Sequence, residues 1–185
     1  MHVDFDTCTT TEECLALLGE WFTHKERTEE EMKKIIAVIQ ERTKESVSLV
    51  PSALGILFDE QGHLLLLRRK KDARSFPDSF SFPGGQMDKE DVSLEETVVR
   101  ETLQETGLQT EILSYHSTRY TTVPKRHRIY QVAFYILGMN GVEKPIQLSN
   151  EHTEYVCELP KTIISDPKKY PLSGNILEEL IGELI

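Results

Sequence analysis

Residues 84–108 read GGQMDKEDVSLEETVVRETLQETGL, a glycine turn that leads into an acidic stretch with helical spacing. Ser93 is followed three residues later by Glu96, which is the pattern of a capping box at a helix N-terminus. Gly107 suits the left-handed position that ends many helices. The sequence therefore predicts a helix between Ser93 and Gly107.

The predicted helix carries its polar groups on one face. Glu101, Gln104 and Glu105 are spaced i, i+3, i+4 and so lie side by side, while Val99 and Leu103 are expected on a buried opposite face. Neighbouring like charges destabilise a helix by roughly 0.2–0.5 kcal/mol per pair. Because magnesium prefers carboxylate oxygens, this face is suited to hold a divalent metal against a pyrophosphate.

The same stretch resembles the Nudix box, a glycine, then a glutamate, then the run R-E-U-x-E-E-x-G-U, in which U is aliphatic. The matching positions, after the usual run-in Phe82-Pro83-Gly84-Gly85, are Arg100, Glu101, Glu105, Gly107 and Leu108. A capped, solvated surface helix would not explain these residues occurring together. The resemblance implies an α/β fold, a Nudix-type α/β/α sandwich with a mixed sheet.

The match departs from the family pattern at three points. Gln104 stands where the family has the first glutamate of its pair, and Thr102 replaces an aliphatic residue. The segment from Gly85 to Arg100 is one residue longer than usual, so the first glutamate of the box has no counterpart and Asp91 is the best substitute. These departures bear on metal affinity and catalytic rate rather than on the fold.

The resemblance implies a hydrolase that cleaves the pyrophosphate of a nucleoside diphosphate linked to another group, with Mg²⁺ or Mn²⁺ as cofactor. It assigns the metal to Glu101, Glu105, a weaker Gln104 and the carbonyl of Gly85, with general base as the alternative role of Glu101. Arg100 is expected to orient Glu101 or the loop acids, with Glu96 as a further partner.

Two further site residues come from outside the box. Asn150–Tyr155 resembles the loop used by diadenosine tetraphosphate hydrolases of the family, and it makes Glu151 the candidate base or extra ligand, with Glu154 in reserve. Arg68, at the end of a predicted strand, is favoured among several arginines and lysines as the cation for substrate phosphate. His152 has no pattern that raises it above a surface histidine.

The chain has 185 residues and a formal net charge of −10, which argues against a general nucleic-acid binder or a protein bound to anionic membranes. Cys8, Cys14 and Cys157 are odd in number and irregularly spaced, which favours free thiols over a disulfide framework or a zinc site. With neither a leader pattern nor a long apolar run, cytoplasmic location is the default expectation.

Residues 1–48 are predicted to form a helical extension, and residues 49–185 the Nudix domain. Two amphipathic stripes in the extension suggest a helical hairpin, packed on the domain or on a second subunit of a homodimer. The stripes are Cys14, Leu17, Leu18, Trp21 and Met32, Ile35, Ile36, Ile39. Predicted strands cover 52–58 and 64–69 as a hairpin, then 110–122, 127–137 and 154–158, before a helical tail at 173–185.

The sequence limits the possible substrate classes only in part. The spacing of Asp88, Asp91 and Arg100 resembles the coenzyme A diphosphatase branch, but residues 74–80 lack that branch's histidine and glycine. Dinucleoside polyphosphates, nucleoside triphosphates and nucleotide sugars stay open. The alternative is a catalytically weak or inactive Nudix-fold module that binds or senses a nucleotide, and Gln104 is the feature that favours it. A third interpretation treats the N-terminal helices as an interaction module.

Overall fold

The computed structural model describes residues 5, 7–22, 27–139 and 145–185. The predicted α/β class, with a mixed sheet, flanking helices and N-terminal helices, is confirmed. The helices are α1 (Thr11–Phe22), α2 (Glu29–Thr43), α3 (Leu94–Thr106), α4 (Pro160–Ser165) and α5 (Asn175–Glu183). The strands are β1 (Ser48–Leu57), β2 (Leu64–Arg69), β3 (Phe80–Ser81), β4 (Gly84–Gln86), β5 (Thr110–Val123), β6 (Arg128–Met139) and β7 (His152–Glu158), with a 3-10 turn at Pro124–Arg126.

The strands form two sheets, with orders β4-β1-β6-β5 and β3-β2-β7. Strand β2 pairs antiparallel with β7 from Leu64↔Glu158 to Arg69↔His152, and the register shifts between Arg68 and Arg69. This irregularity places Arg69 opposite His152 at the end of the strand pair. His152 thereby lies near Glu105 of α3, and the charge of Arg69 acts on the same acid.

The prediction that β1 and β2 pair as a hairpin is wrong. The two strands belong to different sheets and share only an isolated bridge between Phe58 and Leu64. The loop itself is a tight turn, because Asp59 Oδ1 accepts hydrogen bonds from the backbone N–H groups of Gln61 and His63. The four leucines at the start of β2 are all buried, so this strand needs cover on both faces rather than the single partner that a hairpin supplies.

Short elements are the main omissions of the sequence prediction. Strands β3 and β4 and helix α4 have two, three and six residues, too few for a hydrophobic period to show. The first strand also begins at Ser48 rather than at residue 52.

Contacts divide the chain into two units, residues 1–52 with 117–133, and residues 53–116 with 134–185. The first unit has its own apolar core, in which both predicted stripes pack together with Tyr120 of β5 and Ile129 of β6. On α1 the buried positions include Leu15 and Phe22, whereas Trp21 is only partly buried. The boundary near residue 48 and the homodimer stay predictions.

Helix α2 begins with a capping box formed by Thr28 and Glu31. The three cysteines are free thiols. Within the described ranges, no helix combines the length and apolar character needed to cross a bilayer.

Candidate functional site

Helix α3 has the predicted ends. Ser93 Oγ accepts a hydrogen bond from the backbone N–H of Glu96, and Gly107 adopts φ 71°. The reciprocal half of the capping box differs, because Glu96 Oε2 accepts from the backbone N–H of Val92 at 2.8 Å instead. This bond also takes the place of the expected pairing of Glu96 with Arg100.

The buried face of α3 is not the predicted one. Leu103 is 43% exposed, whereas Val98 and Thr102 are completely buried and Glu105 is only 6% exposed. The helix can approach the sheet closely here, because a Cβ on Gly55 of β1 would lie 3.3 Å from Thr102 Oγ1. The small threonine thus suits a close helix–strand contact, and the helix turns part of its acidic face inward.

Glu105 is the most deeply placed acid of the site. Its Oε2 accepts a hydrogen bond from the backbone N–H of Gly84 at 2.8 Å. The pKa of Glu105 is raised to about 8, chiefly by burial and also by the charges of Glu101 and Glu151, against the lowering effect of the hydrogen bond from Gly84 and the charge of Arg69. The structure therefore brings the charge of Glu151, which is distant in the sequence, to bear on the two acids of α3.

Glu101 is the second acid of this group. Burial raises its pKa, as do the charges of Asp88 and Glu151, while Arg100 opposes the shift. Its Oε1 accepts a hydrogen bond from Arg100 Nη1 at 2.8 Å. One side of the carboxyl group faces the backbone of Gly85, where a Cβ would lie 2.8 Å from Glu101 Cδ.

The exchange Gly85→Ala is expected to displace the Glu101 carboxyl group, because real Cβ atoms do not approach a neighbouring atom that closely. The displaced group is the end of a flexible side chain, so the melting temperature should change little while Mg²⁺-dependent turnover falls. Thermal denaturation and initial rates on the same preparation measure both effects. An alanine variant with unchanged turnover would contradict a role for this contact.

Arg100 is held by several acceptors around it. Its Nε and Nη2 donate to the two carboxylate oxygens of Asp91 at 2.8 and 2.7 Å, and its Nη1 donates to Glu101 and, at 3.1 Å, to Gln104 Oε1. The Arg100 guanidinium holds the pKa of Asp91 well below its usual range. Asp91 Oδ2 also accepts from Thr97 Oγ1 and the backbone N–H of Asp88. Arg100 therefore joins the loop before α3 to the acid on the helix.

Arg68 and Arg69 have different surroundings. Arg68 forms ion pairs with Asp78, at 2.9 Å from Nε, and with Glu154, at 2.8 Å from Nη1. It borders a pocket of about 440 Å³ that is also lined by Lys70, Lys71, Asp72, Asp78, Thr153 and Glu154. Arg69, by contrast, lowers the pKa of both Glu105 and His152. The cation whose charge acts on Glu105 is thus Arg69, whereas the sequence analysis favoured its neighbour Arg68 as the phosphate-binding cation.

His152 is a site neighbour that sequence reasoning passed over. Its side chain is 2% exposed, and its Nε2 lies 3.7 Å from Glu105 Oε1. Burial and the charge of Arg69 lower the pKa of His152 to about 4. The ring is therefore neutral at neutral pH, and its contact with Glu105 is not an ion pair. Neither motif nor periodicity marks this burial, which arises from the pairing of β7 with β2.

The pKa of Glu105 predicts how the stability of the metal-free protein depends on pH. Between about 4.5 and about 8 the folded state keeps a proton that the unfolded state has released, so the free energy of unfolding should fall as pH rises. His152, with its pKa lowered from 6.5 to about 4, opposes this trend only at lower pH. Between pH 6.5 and 8, therefore, the titration of Glu105 affects the stability without an opposing contribution from His152.

Denaturant unfolding of the wild type and of Glu105→Gln, both in chelator, isolates the contribution of Glu105. The wild type should lose stability relative to the variant across this window. Parallel pH profiles for the two proteins would rule out a raised pKa at Glu105.

The donor set fits a hard divalent cation. Carboxylates are the preferred ligands of Mg²⁺, and three mutually repelling ones leave a local excess of negative charge for a cation to offset. Among the described residues, no three His, Cys, Asp or Glu side chains already converge as a preformed metal cage. Glu105 and Glu101 each use one carboxylate oxygen in the contacts above, with Gly84 N–H and Arg100 respectively.

Comparison with known proteins agrees with this arrangement. The NUDIX domain model matches residues 48–180. No functionally curated protein has a sequence that matches this chain.

Similar solved structures include a MutT protein from Methanosarcina mazei Go1, with 21% identity and a TM-score of 0.65 over 76% of this chain and 95% of that one. A NUDIX hydrolase from Nitrosomonas europaea has 13% identity and a TM-score of 0.60 over 74% and 88% of the two chains. A C. elegans Ap4A hydrolase in a binary complex has 18% identity and a TM-score of 0.53 over 73% and 93%. At these identities the likeness concerns the fold. The domain match, which covers more than half of the sequence, shows that the chain belongs to the NUDIX family and is a Nudix pyrophosphohydrolase, a hydrolase of phosphoric anhydrides.

Proposed function

We propose that the protein is a magnesium-dependent hydrolase that cleaves the pyrophosphate of a nucleoside diphosphate linked to another group. The observation that carries the proposal is that Glu101 and Glu105 of α3 lie against Gly84 and Gly85 of β4, where the charge of Glu151 also acts on both acids. Burial of Glu101 and Glu105 and the repulsion between the acids disfavour the charged carboxylates, and a bound cation would offset both effects. Mn²⁺ is the second metal to test.

Each residue has a role in this proposal that follows from its contacts. Glu101 and Glu105 hold the metal, and Gly85 lets the backbone approach the Glu101 carboxyl group. Arg100, fixed by Asp91, orients Glu101. When bound, Mg²⁺ would stabilise negative charge on the pyrophosphate oxygens. Glu151 accepts the proton of the attacking water, as a general base must.

Arg69 and Arg68 supply positive charge for the substrate. Arg69 acts on Glu105 directly through its charge. Arg68 is already paired with Asp78 and Glu154, so a phosphate would have to compete with these carboxylates for its guanidinium group. Its part in substrate binding is therefore the weaker of the two.

Product analysis by mass spectrometry tests the proposal, with and without Mg²⁺ and with added chelator. The substrates are coenzyme A, a dinucleoside polyphosphate, ADP-ribose, a nucleoside triphosphate and a nucleotide sugar. We expect metal-dependent cleavage within a pyrophosphate. A folded wild-type protein that cleaves none of them would overturn the proposed activity on this substrate class.

Coenzyme A is the first substrate to test. The spacing from Asp88 through Asp91 to Arg100 resembles that of the coenzyme A diphosphatases, and the contacts of Arg100 with both aspartates give this spacing a structural role. Release of 4′-phosphopantetheine would identify this branch. Cleavage of a dinucleoside polyphosphate alone would instead agree with the loop that contains Glu151.

The second candidate function is a nucleotide-binding or sensor module with weak or no turnover. It is favoured by Gln104, whose amide oxygen accepts a hydrogen bond from Arg100 and is thereby engaged. Gln104→Glu distinguishes the two. In a weak enzyme the new carboxylate should raise Mg²⁺ affinity and turnover together, whereas a binding module should gain neither while still binding nucleotide in calorimetry.

A further inference from the structure

His152 is buried between the acid on α3 and the turn that carries the candidate base. Its Nδ1 lies 3.3 Å from Ser149 Oγ, and its Nε2 lies 3.7 Å from Glu105 Oε1. The ring therefore has one nitrogen toward the turn and the other toward the site. A buried polar ring in this place needs polar partners, and these two are the groups it meets.

Ser149 is the hydrogen-bond partner of the ring on the side of the turn. Its Oγ accepts a hydrogen bond from the backbone N–H of Glu151 at 3.3 Å, and its hydroxyl hydrogen can be donated to His152 Nδ1. With Nδ1 as an acceptor, the neutral ring carries its hydrogen on Nε2. The N–H group then faces the Glu105 carboxylate.

The turn itself is attached to the end of α3. The backbone N–H of Ser149 donates to the carbonyl of Glu105 at 3.1 Å, and the N–H of Gln147 donates to the carbonyl of Thr106 at 2.8 Å. These bonds satisfy carbonyl groups that a helix end otherwise leaves unpaired. Glu151 is thus carried by a turn whose place is set by the helix that bears Glu105.

We propose that His152 is a positioning residue that, through Ser149 on one side and Glu105 on the other, keeps the carboxyl groups of Glu105 and Glu151 in a fixed relation. The inference rests on the proposed function for its catalytic meaning, but the geometry can be tested without it. The distance of 3.7 Å between His152 Nε2 and Glu105 Oε1 is too long for a hydrogen bond. Such contacts in enzymes often shorten only when the substrate is bound. Histidine N–H groups that orient metal-binding carboxylates typically change metal affinity or activity by roughly 10–100-fold when removed.

The test compares His152→Phe, which keeps a ring of similar size without N–H groups, with His152→Gln, which keeps an amide N–H. Crystal structures of the metal-free proteins report the Glu105 and Glu151 carboxyl groups, and electron paramagnetic resonance reports Mn²⁺ affinity. We expect His152→Phe to displace Glu105 and to weaken Mn²⁺ binding by roughly 10–100-fold, with His152→Gln restoring most of both. His63→Phe, at a histidine paired with Asp59, is the matched control and should leave Mn²⁺ affinity unchanged.

Two results would overturn the inference. One is a His152→Phe structure in which Glu105 and Glu151 keep their places, and the other is equal damage from Phe and Gln, which indicates packing alone. A wild-type protein that binds no Mn²⁺, but in which Glu105 moves in His152→Phe and returns in His152→Gln, would refute the proposed metal-dependent function while supporting the positioning role.

Discussion

Replacement of Glu105 by glutamine is expected to lower kcat/KM for pyrophosphate hydrolysis by roughly 10³-fold, because a metal-bound site supplies several kcal/mol of charge stabilisation. Glutamine keeps the shape of the side chain and can still accept from the backbone N–H of Gly84, so the fold should be retained. Loss of charge at a buried position should even raise the stability of the metal-free protein at pH 8, since the pKa of Glu105 is raised to about 8.

Initial rates with the best substrate of the panel, together with thermal denaturation, measure the two effects. Glu178→Gln on α5 is the matched control, because Glu178 is exposed and does not contribute to the pKa of Glu105. The control should keep wild-type rates. A Glu105→Gln variant within a few-fold of the wild type would mean that the metal, if one is used, is held elsewhere.

Among the replacements proposed here, Gly84→Ala is expected to lower the free energy of unfolding the most. Gly84 has φ 135°, and an added Cβ would collide with the carbonyl oxygen of Ala53 and lie 2.9 Å from Leu54 Cα. These are backbone atoms of β1, which cannot move aside as a flexible side chain can. Backbone strain of about 1–2 kcal/mol and overpacking of about 1–3 kcal/mol together predict a loss of roughly 3 kcal/mol.

For a chain of this size, a loss of roughly 3 kcal/mol corresponds to a melting temperature lower by about 10 °C. Gly62→Ala is the matched control, because Gly62 also has positive φ, at 80°, but nothing lies within 4 Å of its added Cβ. The control measures backbone strain alone. If both variants lost the same stability, the close approach of Gly84 to β1 would have no energetic weight.

Helix α3 shows how far local sequence determines this protein. Its caps at Ser93 and Gly107 depend on groups within a few residues, and they were predicted correctly. The spacing of Glu101 and Glu105 predicts them as site acids, and the structure places both against Gly84 and Gly85, while their catalytic roles stay a prediction. The direction in which the helix is buried was not predicted, because Val99 and Leu103 are apolar while the close contact at Gly55 favours Thr102.

Strand β2 shows the opposite case. Its bounds were predicted exactly, from Leu64 to Arg69, since six residues with four consecutive leucines form a clear apolar run. Its partners were not, because pairing with β3 and β7 joins segments that are distant in the chain. The effect of the charge of Arg69 on Glu105 has the same origin, since the register shift between Arg68 and Arg69 is a property of the pair β2–β7, and substrate binding by Arg68 stays a prediction.

The sequence by itself predicts the family, the helix with its caps, and Glu101 and Glu105 as candidate site acids, because each of these depends on residues that lie close together along the chain. The tertiary structure decided that Glu151 joins Glu101 and Glu105, that Arg69 rather than Arg68 acts on Glu105 through its charge, and that His152 is buried beside it. These features depend on the pairing of β7 with β2 and on the attachment of residues 147–149 to the end of α3. Burial, and the repulsion between Glu151 and the two acids of α3, arise only when distant segments meet, so no local pattern in the sequence can record them.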